Sequence, residues 1–381
     1  MKEITYDELK ALPEGSYELI DIRDDELTEY GMMPGAKHIY MNPEIEGKLE
    51  EIEAIDKGKK LVLYCQIGRK SMLLADLECL EGRDVYSLKG GYVEYVKSAC
   101  NGEAEREERQ HKAEESIRKK FHKQLFTPFA KACKNYGLIQ EGDHIAVCIS
   151  GGKDSMLMAK LFQEIQRHRQ VNFELTFLVM DPGYNQANRE LIESNAAALG
   201  IPVTIFESDI FDAVDTIEKS PCYICARMRR GHLYNKAKEL GCNKIALGHH
   251  YDDVIETILM GMLHGAQIQT MMPKLHSTNF PGMELIRPLY LVRESDICAW
   301  RDYNDLHFLQ CACHFTDTCS TCHEDGTTSS KRLETKKLIA ELKKTNPFIE
   351  SNIFKSVENV NVDTVIAYKK NGERHHFLDE Y

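Results

Sequence analysis

Residues 145–155 read IAVCISGGKDS, an apolar run that passes directly into a glycine-rich loop with one lysine and two serines. The run has the composition of a buried strand, and a helical pattern follows Ser155. Glycine lets the backbone wrap closely around an anion, while helix-start amides, Lys153 and the serine hydroxyls stabilise phosphate charge. We therefore predict a phosphate-binding loop made of Ser150, Gly151, Gly152, Lys153, Asp154 and Ser155.

The chain around this loop alternates strand and helix patterns from residue 141 to residue 310. Strand-like apolar runs occur at 144–149, 173–180, 202–206 and 244–247, and helical stretches separate and follow them. This alternation predicts an α/β domain with a doubly wound parallel sheet. Strand-like runs at 18–22, 60–64 and 83–88 predict a second, smaller α/β unit in residues 1–97.

Composition and charge support two soluble domains. The chain has 381 residues, 43% of them hydrophobic, which is enough for two cores. Its net charge is −12, yet residues 1–100 hold 13 Lys and Arg against 21 Asp and Glu, so most of the acidity is N-terminal. Residues 109–134 are instead basic and helical in pattern, which fits either a solvated linker helix or a helix that contacts phosphate.

The loop spacing differs from a Walker A motif. SGGKDS resembles the signature of the PP-loop ATP pyrophosphatases, which cleave ATP to AMP and pyrophosphate and adenylate a substrate oxygen. The resemblance implies catalytic roles for Lys153 and Asp154 and an adenosine contact at Met180 and Asp181. It also implies that a GHHYDD loop binds Mg²⁺ and phosphate together. The residues expected to do so are Gly248, His249, Asp252 and Asp253.

Thirteen cysteines indicate metal binding or thiol chemistry, since disulfides are rare in cytosolic chains. Cys222 and Cys225 form a CxxC pair, and four more cysteines crowd between 311 and 322. The segment PCYICARMRRG at 221–231 resembles the PCxxCxxxRR motif of the tRNA 2-thiocytidine synthetase family. That resemblance implies a [4Fe–4S] cluster on Cys222, Cys225 and Cys311, with one iron left for an exogenous sulfur. Zinc with Cys313 as a further ligand, and free thiols, stay open, as does the choice between Cys311 and Cys313.

A third motif follows the strand at 60–64. Residues 65–71 read CQIGRKS, in which helix-start amides, Arg69 and Lys70 would stabilise a thiolate or persulfide on Cys65. The segment resembles the rhodanese active loop CxxGxRS, with Lys70 at the usual arginine. LIDIR at 19–23 and GMMPGA at 31–36 agree with that resemblance, which implies that Cys65 is a catalytic sulfur carrier. An inactive, regulatory rhodanese fold is the alternative.

These resemblances predict that the chain is divided into four segments. They are a rhodanese-like domain at 1–100, a basic helical connector at 101–140, a PP-loop domain with a Cys-ligated cluster at 141–322 and a C-terminal helical appendage at 323–381. The predicted reaction is ATP-dependent 2-thiolation of a tRNA anticodon-loop cytidine, with sulfur relayed from Cys65. The predicted cofactors are ATP, Mg²⁺ and a [4Fe–4S] cluster, and the predicted partners are tRNA and a sulfur donor such as a cysteine desulfurase.

Other functions stay open. A PP-loop thiolase could modify a tRNA uridine or a small molecule, a lysidine-synthetase-like ligase would use no sulfur, and a redox or sulfide sensor could bind ATP without turnover. No long apolar segment or apolar leader pattern is visible, so we expect a cytoplasmic protein with no membrane partner. A homodimer is compatible with the sequence, which leaves the oligomeric state open.

Overall fold

The computed structural model of the chain describes most of its residues. Described are 2–13, 15–28, 31–41, 55, 58–75, 80, 82–98, 103–184, 186–208, 210, 221–308, 331–379 and 381. They form two α/β units, each with its own sheet, and a two-stranded C-terminal hairpin. The predicted mixed α/β fold with parallel sheets is confirmed.

The N-terminal unit has a five-stranded sheet in the order β1-β5-β4-β2-β3, with all neighbours parallel. Its strands are β1 (Glu3–Ile4), β2 (Tyr17–Asp21), β3 (Lys37–His38), β4 (Lys60–Tyr64) and β5 (Val85–Leu88). Its helices are α1 (Tyr6–Lys10), α2 (Asp25–Thr28), α3 (Arg69–Ala75) and α4 (Gly91–Ser98). The central strand β4 is fully buried over 61–64, as its continuous apolar run requires in a parallel sheet.

The larger sheet has six strands in the order β10-β11-β9-β6-β7-β8. They are β6 (His144–Ile149), β7 (Glu174–Asp181), β8 (Val203–Glu207), β9 (Lys244–Ala246), β10 (Lys274–His276) and β11 (Glu284–Ile286). Only β10 runs antiparallel to its neighbour. The chain proceeds outward from β6 to β8 and then returns to the other side of β6 at β9. This reversal makes the sheet doubly wound and places a crevice between the carboxyl ends of β6 and β9.

Helices flank this sheet and connect it to the N-terminal unit. They are α5 (Glu103–Arg118), α6 (Thr127–Asn135), α7 (Lys153–Arg167), α8 (Gln186–Ala198), α9 (Pro221–Glu239), α10 (Tyr251–Gly265) and α11 (Glu294–Tyr303). A π-helical turn at His122–Phe126 joins α5 to α6. The basic stretch is therefore helical, and its exposed side chains include Lys119, Lys120, Lys123 and Lys131.

The C-terminal region contains two helices, α12 (Lys331–Thr345) and α13 (Ile349–Ser356), followed by a hairpin. The hairpin strands are β12 (Ala367–Lys370) and β13 (Glu373–His376), which pair antiparallel. Sequence analysis predicted only helix here, because AYKK and ERHH lack the apolar alternation that indicates a strand. Among the described helices, none has the length and hydropathy needed to span a membrane.

The two α/β units share one apolar core. Tyr92 and Val96 of α4 belong to the same cluster of buried side chains as Ile117 of α5 and Leu191 of α8. The Tyr92 hydroxyl also lies 2.9 Å from Nδ1 of His307, just beyond α11. Gly31 lies under this pair with φ +117°, and a Cβ there would be only 2.9 Å from the Tyr92 oxygen. Close approach thus requires glycine at the start of the GMMPGA motif.

Candidate nucleotide and sulfur-transfer sites

The glycine-rich loop lies at the carboxyl end of β6, where the chain turns into α7. Gly151 has φ +84°, and a Cβ there would lie 2.5 Å from Cγ1 of Ile192, so the loop needs glycine. The Ser155 hydroxyl accepts a hydrogen bond from the Ser150 amide (3.2 Å) and donates one to the Gly152 carbonyl (2.9 Å). The loop is thereby fixed at the N-terminus of a fifteen-residue helix, where the helix dipole favours an anion.

The GHHYDD loop lies directly beside the glycine-rich loop. It follows β9, and a Cβ on Gly248 would lie 3.3 Å from the Ser155 amide nitrogen. His250 caps α10, because its Nδ1 accepts from the Asp253 amide (3.3 Å) while its own amide donates to the Asp253 carboxylate (3.1 Å). The structure thus brings both predicted nucleotide loops to one edge of the sheet, at its switch point.

Lys153 is buried in this crevice between two carboxylates. Its Nζ lies 3.2 Å from Asp154 and 3.2 Å from Oε1 of Glu294, the first residue of α11. Burial acts to raise the pKa of Glu294, but the Lys153 charge and a hydrogen bond from Lys336 lower it to about 2. Glu294 is therefore ionised at neutral pH and holds Lys153 beside the loop.

Two arginines engage the aspartates of the GHHYDD loop. Arg293 donates to Asp252 through Nη2 (2.9 Å), and Asp252 also accepts the Glu294 amide (2.7 Å). Arg332 of α12 donates to Asp253 through Nη1 at 2.6 Å. Both carboxylates are thus already balanced by cations in this structure.

Asp154 and His249 each present a buried polar atom that makes no hydrogen bond with the described residues. These atoms are Asp154 Oδ1 and His249 Nδ1. Burial, followed by the nearby Arg287 charge, lowers the pKa of His249 to about 4, so the ring is neutral. The Lys153 ammonium lies 3.2 Å from Asp154 Oδ1. A buried carboxylate oxygen that accepts no hydrogen bond still has the chemistry of a ligand for a hard cation.

Met180 and Asp181 end β7 at the same edge of the sheet. Met180 is buried against Ile210 and Met228, which places α9 beside the end of β7. Asp181 is also buried, and its Oδ1 accepts the amides of Gly183 (2.9 Å) and Tyr184 (2.7 Å). Asp181 therefore shapes the turn after β7, next to the predicted adenosine position.

Cys222 and Cys225 lie in the first turn of α9, three backbone positions apart, so that their backbones lie on the same side of the helix. The helix is anchored by Met228 and by Arg229, which donates to the Tyr184 hydroxyl at 3.2 Å. Cys311, Cys313 and the other cysteines up to 322 lie outside the described residues. Cys133, Cys148 and Cys242 are buried and unpaired, as expected for core cysteines.

Cys65 lies at the carboxyl end of β4 and is buried, with 3% of its surface exposed. The Ser71 hydroxyl lies 3.6 Å from its sulfur, and the Tyr92 amide donates to its carbonyl oxygen at 2.9 Å. Gly68 has φ +85°, and a Cβ added there would lie 3.0 Å from the Gly90 nitrogen. The loop therefore packs closely against the backbone at Gly90. Arg69 is exposed and Lys70 half-buried in the first turn of α3.

Comparison with known proteins agrees with this geometry. A PP-loop domain model matches residues 116–313, and a rhodanese-like domain model matches residues 5–98. The tRNA-cytidine(32) 2-sulfurtransferase of Geobacter sulfurreducens is 34% identical over 242 residues, which is 63% of this chain and 90% of that protein. The tRNA-cytidine(32) 2-sulfurtransferase of Anaeromyxobacter dehalogenans is 31% identical over 244 residues, which is 63% of this chain and 80% of that protein.

The chain belongs to the tRNA-cytidine(32) 2-sulfurtransferase family. Its rhodanese-like domain lies N-terminal to the region matched by the PP-loop model. Among solved structures, U34-tRNA thiolase NcsA from Methanococcus maripaludis with its [4Fe-4S] cluster aligns with a TM-score of 0.48 and 22% identity. That alignment covers 61% of this chain and 76% of the thiolase.

The groups that a 2-sulfurtransferase of this family would bind can be compared with the residues present. Within the described residues, no three His, Cys, Asp or Glu side chains are arranged to hold a metal by themselves. Mg²⁺ commonly takes one or two carboxylates together with phosphates and water, and Asp154 fits that need. The thiolates of Cys222 and Cys225 are the ligands that iron–sulfur clusters prefer, so the donor set at α9 fits a cluster.

Four residues near these sites escaped the sequence analysis: Arg293, Glu294, Arg332 and His307. Each acts through a partner far away in the chain, and each comes from a segment without glycine-rich or cysteine-rich spacing. Arg293 and Glu294 do follow the IRPL segment at 286–289, the one local signal that could have pointed to them.

Proposed function

We propose that the chain is an ATP-dependent tRNA sulfurtransferase that replaces the C2 oxygen of an anticodon-loop cytidine with sulfur. One observation carries this proposal: the glycine-rich loop follows β6, and Met228 of the CxxC helix packs against the end of the neighbouring strand β7, in a member of the tRNA-cytidine(32) 2-sulfurtransferase family. A nucleotide and a sulfur-bearing centre at this edge of the sheet would both reach one substrate base.

The first step is activation of the base. ATP binds with its phosphates on the amides of the glycine-rich loop, and Lys153 lies where charge develops on the phosphates. The C2 oxygen attacks the α-phosphorus, pyrophosphate leaves, and an adenylate forms. Mg²⁺, held by Asp154 and the phosphates, would neutralise the developing charge. AMP is a far better leaving group than hydroxide, so the activated carbon accepts a sulfur nucleophile.

The second step is sulfur delivery. Cys65 takes a sulfane sulfur from a donor, such as a cysteine desulfurase persulfide, and becomes a persulfide itself. A second thiol, for example Cys313, attacks the inner sulfur, forms a disulfide with Cys65 and releases the outer sulfur as hydrosulfide. The two electrons that reduce the sulfane sulfur thus come from that thiol. A cluster held by Cys222, Cys225 and Cys311 would supply an open iron for the hydrosulfide.

The basic connector supports tRNA as the substrate. Residues 116–140 contain Arg118, Lys119, Lys120, Lys123, Lys131 and Lys134 and no Asp or Glu, although the chain as a whole is acidic. Tyr303 is exposed, and the Lys120 ammonium lies 3.7 Å from its ring centroid. Exposed lysines beside an aromatic ring suit a nucleic acid backbone with unstacked bases. Loss of affinity with a shallower salt dependence in Lys123→Ala would support this surface.

The test of the proposed function is mass spectrometry of tRNA nucleosides from cells with and without the gene. We expect loss of 2-thiocytidine alone in its absence. Loss of a thiouridine instead would assign the same mechanism to a different base. Unchanged tRNA nucleosides would reject tRNA as substrate, and an absence of pyrophosphate release from ATP would then favour a sensor over a small-molecule thiolase.

A further inference from the structure

Helix α12 reaches into the nucleotide crevice from outside the region that the PP-loop model matches. Arg332 lies 2.6 Å from Asp253 and 3.7 Å from Glu256, both on α10. One turn later, Lys336 lies 2.9 Å from Glu294, the residue that holds Lys153. Positions 332 and 336 lie on one face of the helix, so a single face of α12 meets both sides of the crevice.

The crevice without α12 has an excess of negative charge. Its carboxylates include Asp154, Asp252, Asp253, Glu256, Glu294 and Glu350, and its cations from other elements include Lys153, Arg287 and Arg293. A nucleoside triphosphate brings several further negative charges into this space. Because repulsion between partly buried charges is costly, additional cations are needed close to the phosphates.

We propose that Arg332 and Lys336 are phosphate-binding residues that complete the nucleotide site with the β- and γ-phosphates as their ligands. This inference rests on the proposed use of ATP and deepens it. In the structure, the two side chains pair with Asp253 and Glu294, and each retains about half of its side-chain surface exposed, 44% for Arg332 and 52% for Lys336. Both are therefore accessible to a ligand in the crevice while already held beside it.

The exposure of these cations separates a ligand-binding role from a purely structural one. Their partners Asp253 and Glu294 are only 15% and 19% exposed, but the cations themselves face solvent, which screens such pairs, so holding α12 in place is a weak reason for two of them. The helix is already anchored by buried Ile339 and Thr335. Arginine, with its forked donors, suits the bidentate recognition of phosphate oxygens.

The experiment compares ATP, pyrophosphate and AMP as probes, with Mg²⁺ present, by calorimetry on the full-length protein. In Arg332→Ala and in the double variant with Lys336→Ala, affinity for ATP and pyrophosphate should fall about 10-fold or more, because charge-assisted contacts are lost. Affinity for AMP, which lacks the β- and γ-phosphates, should stay within about 3-fold of wild type. Lys344→Ala is the matched control, since Lys344 on the same helix is exposed and, among the described residues, pairs with the exposed Glu341.

Arg332→Lys keeps the charge and should recover most of the affinity for ATP. Unchanged ATP affinity in the double variant would overturn the proposal, and so would equal losses for ATP and AMP, which would indicate a general structural defect. Lower ATP affinity in Arg332→Lys than in Arg332→Ala would also count against it. A wild-type protein that binds ATP but transfers no sulfur would refute the proposed function and leave this test intact.

Discussion

The Tyr92 hydroxyl lies 2.9 Å from Nδ1 of His307, although 215 residues separate them in the chain. Burial lowers the pKa of His307, so its ring is neutral at neutral pH. The single ring proton lies on Nε2, which donates to the Asp305 carboxylate at 3.1 Å. Nδ1 is then the acceptor for the Tyr92 hydroxyl. Tyr92 also donates its amide to the Cys65 carbonyl. His307 precedes Cys311 by four residues in the sequence, so this bond links the loop of Cys65 to the segment that leads toward the cysteine-rich stretch.

Removal of this bond should weaken the packing of the two domains. Tyr92→Phe, His307→Ala and the double variant form a mutant cycle whose coupling energy should be about 1 kcal/mol. The measurement is chemical unfolding, with Tyr368→Phe in the exposed C-terminal hairpin as a control. Additive effects of the two substitutions would mean that the contact contributes nothing.

Gly151→Ala should abolish ATP binding. The residue has φ +84°, and its new Cβ would meet Ile192 at 2.5 Å, so the loop must shift. Gly265→Ala is the control, because a Cβ there meets nothing within 4 Å. Nucleotide titration checks this, and normal ATP affinity in Gly151→Ala would show that the loop does not hold the phosphates.

Glu294→Gln should destabilise the protein at neutral pH by about 2 kcal/mol, after allowance for partial solvent screening. The folded-state pKa of Glu294 is lowered to about 2, with Lys153 and Lys336 overcoming the effect of burial. This stabilisation is complete above the unfolded pKa and is lost as the pH falls toward 2. The stability difference between variant and wild type should therefore shrink progressively from about pH 5 down to pH 2, and a constant difference would contradict the ion-pair assignment.

Cys222→Ser and Cys225→Ser should each remove most of the iron and acid-labile sulfide from anaerobically reconstituted protein. Thiolate ligands are required for such a cluster, and serine is a poor replacement. Cys242→Ala, a change to a buried core cysteine, is the control and should retain iron. If the wild-type protein contained zinc and no acid-labile sulfide, the cysteines would form a zinc site and the iron–sulfur cluster would be rejected.

Cys65→Ser should lose the persulfide that wild type forms when treated with a sulfane donor. The thiol follows β4 within a tightly wrapped loop, whereas burial raises the pKa of Cys133 to about 12 and makes that thiol unreactive. Mass spectrometry of tryptic peptides can follow both cysteines in one sample. A wild type without persulfide at Cys65 would favour the inactive, regulatory rhodanese fold.

Much of the fold is predictable from local sequence. The strands at 60–64, 144–149 and 174–181 each contain a continuous apolar run, as buried parallel strands require. The phosphate loop is equally local, because a strand, two glycines and a helix start are adjacent in the chain. The short strands β10 and β11 and the polar hairpin carry no comparable signal, and we did not predict them.

The partners of the predicted residues could not be read from the sequence. Glu294 meets Lys153, Arg332 meets Asp253 and His307 meets Tyr92 only after sheets and helices have packed. An arginine or glutamate in a helix is ordinarily a solvated surface residue, so its sequence context does not distinguish these cases. The family resemblance identified the chemistry, and the packing identified the residues that position it.

The shared core has a practical consequence for dissecting the protein. One continuous cluster of buried side chains contains Tyr92 and Val96 on one side of the connection and Ile117 and Leu191 on the other. Cleavage between residues 98 and 103 would therefore expose apolar surface on both fragments. Separately expressed halves should aggregate or reassociate rather than behave as independent catalysts. Mixing the two purified halves should then restore a stoichiometric complex, because each half covers the apolar surface that the other exposes.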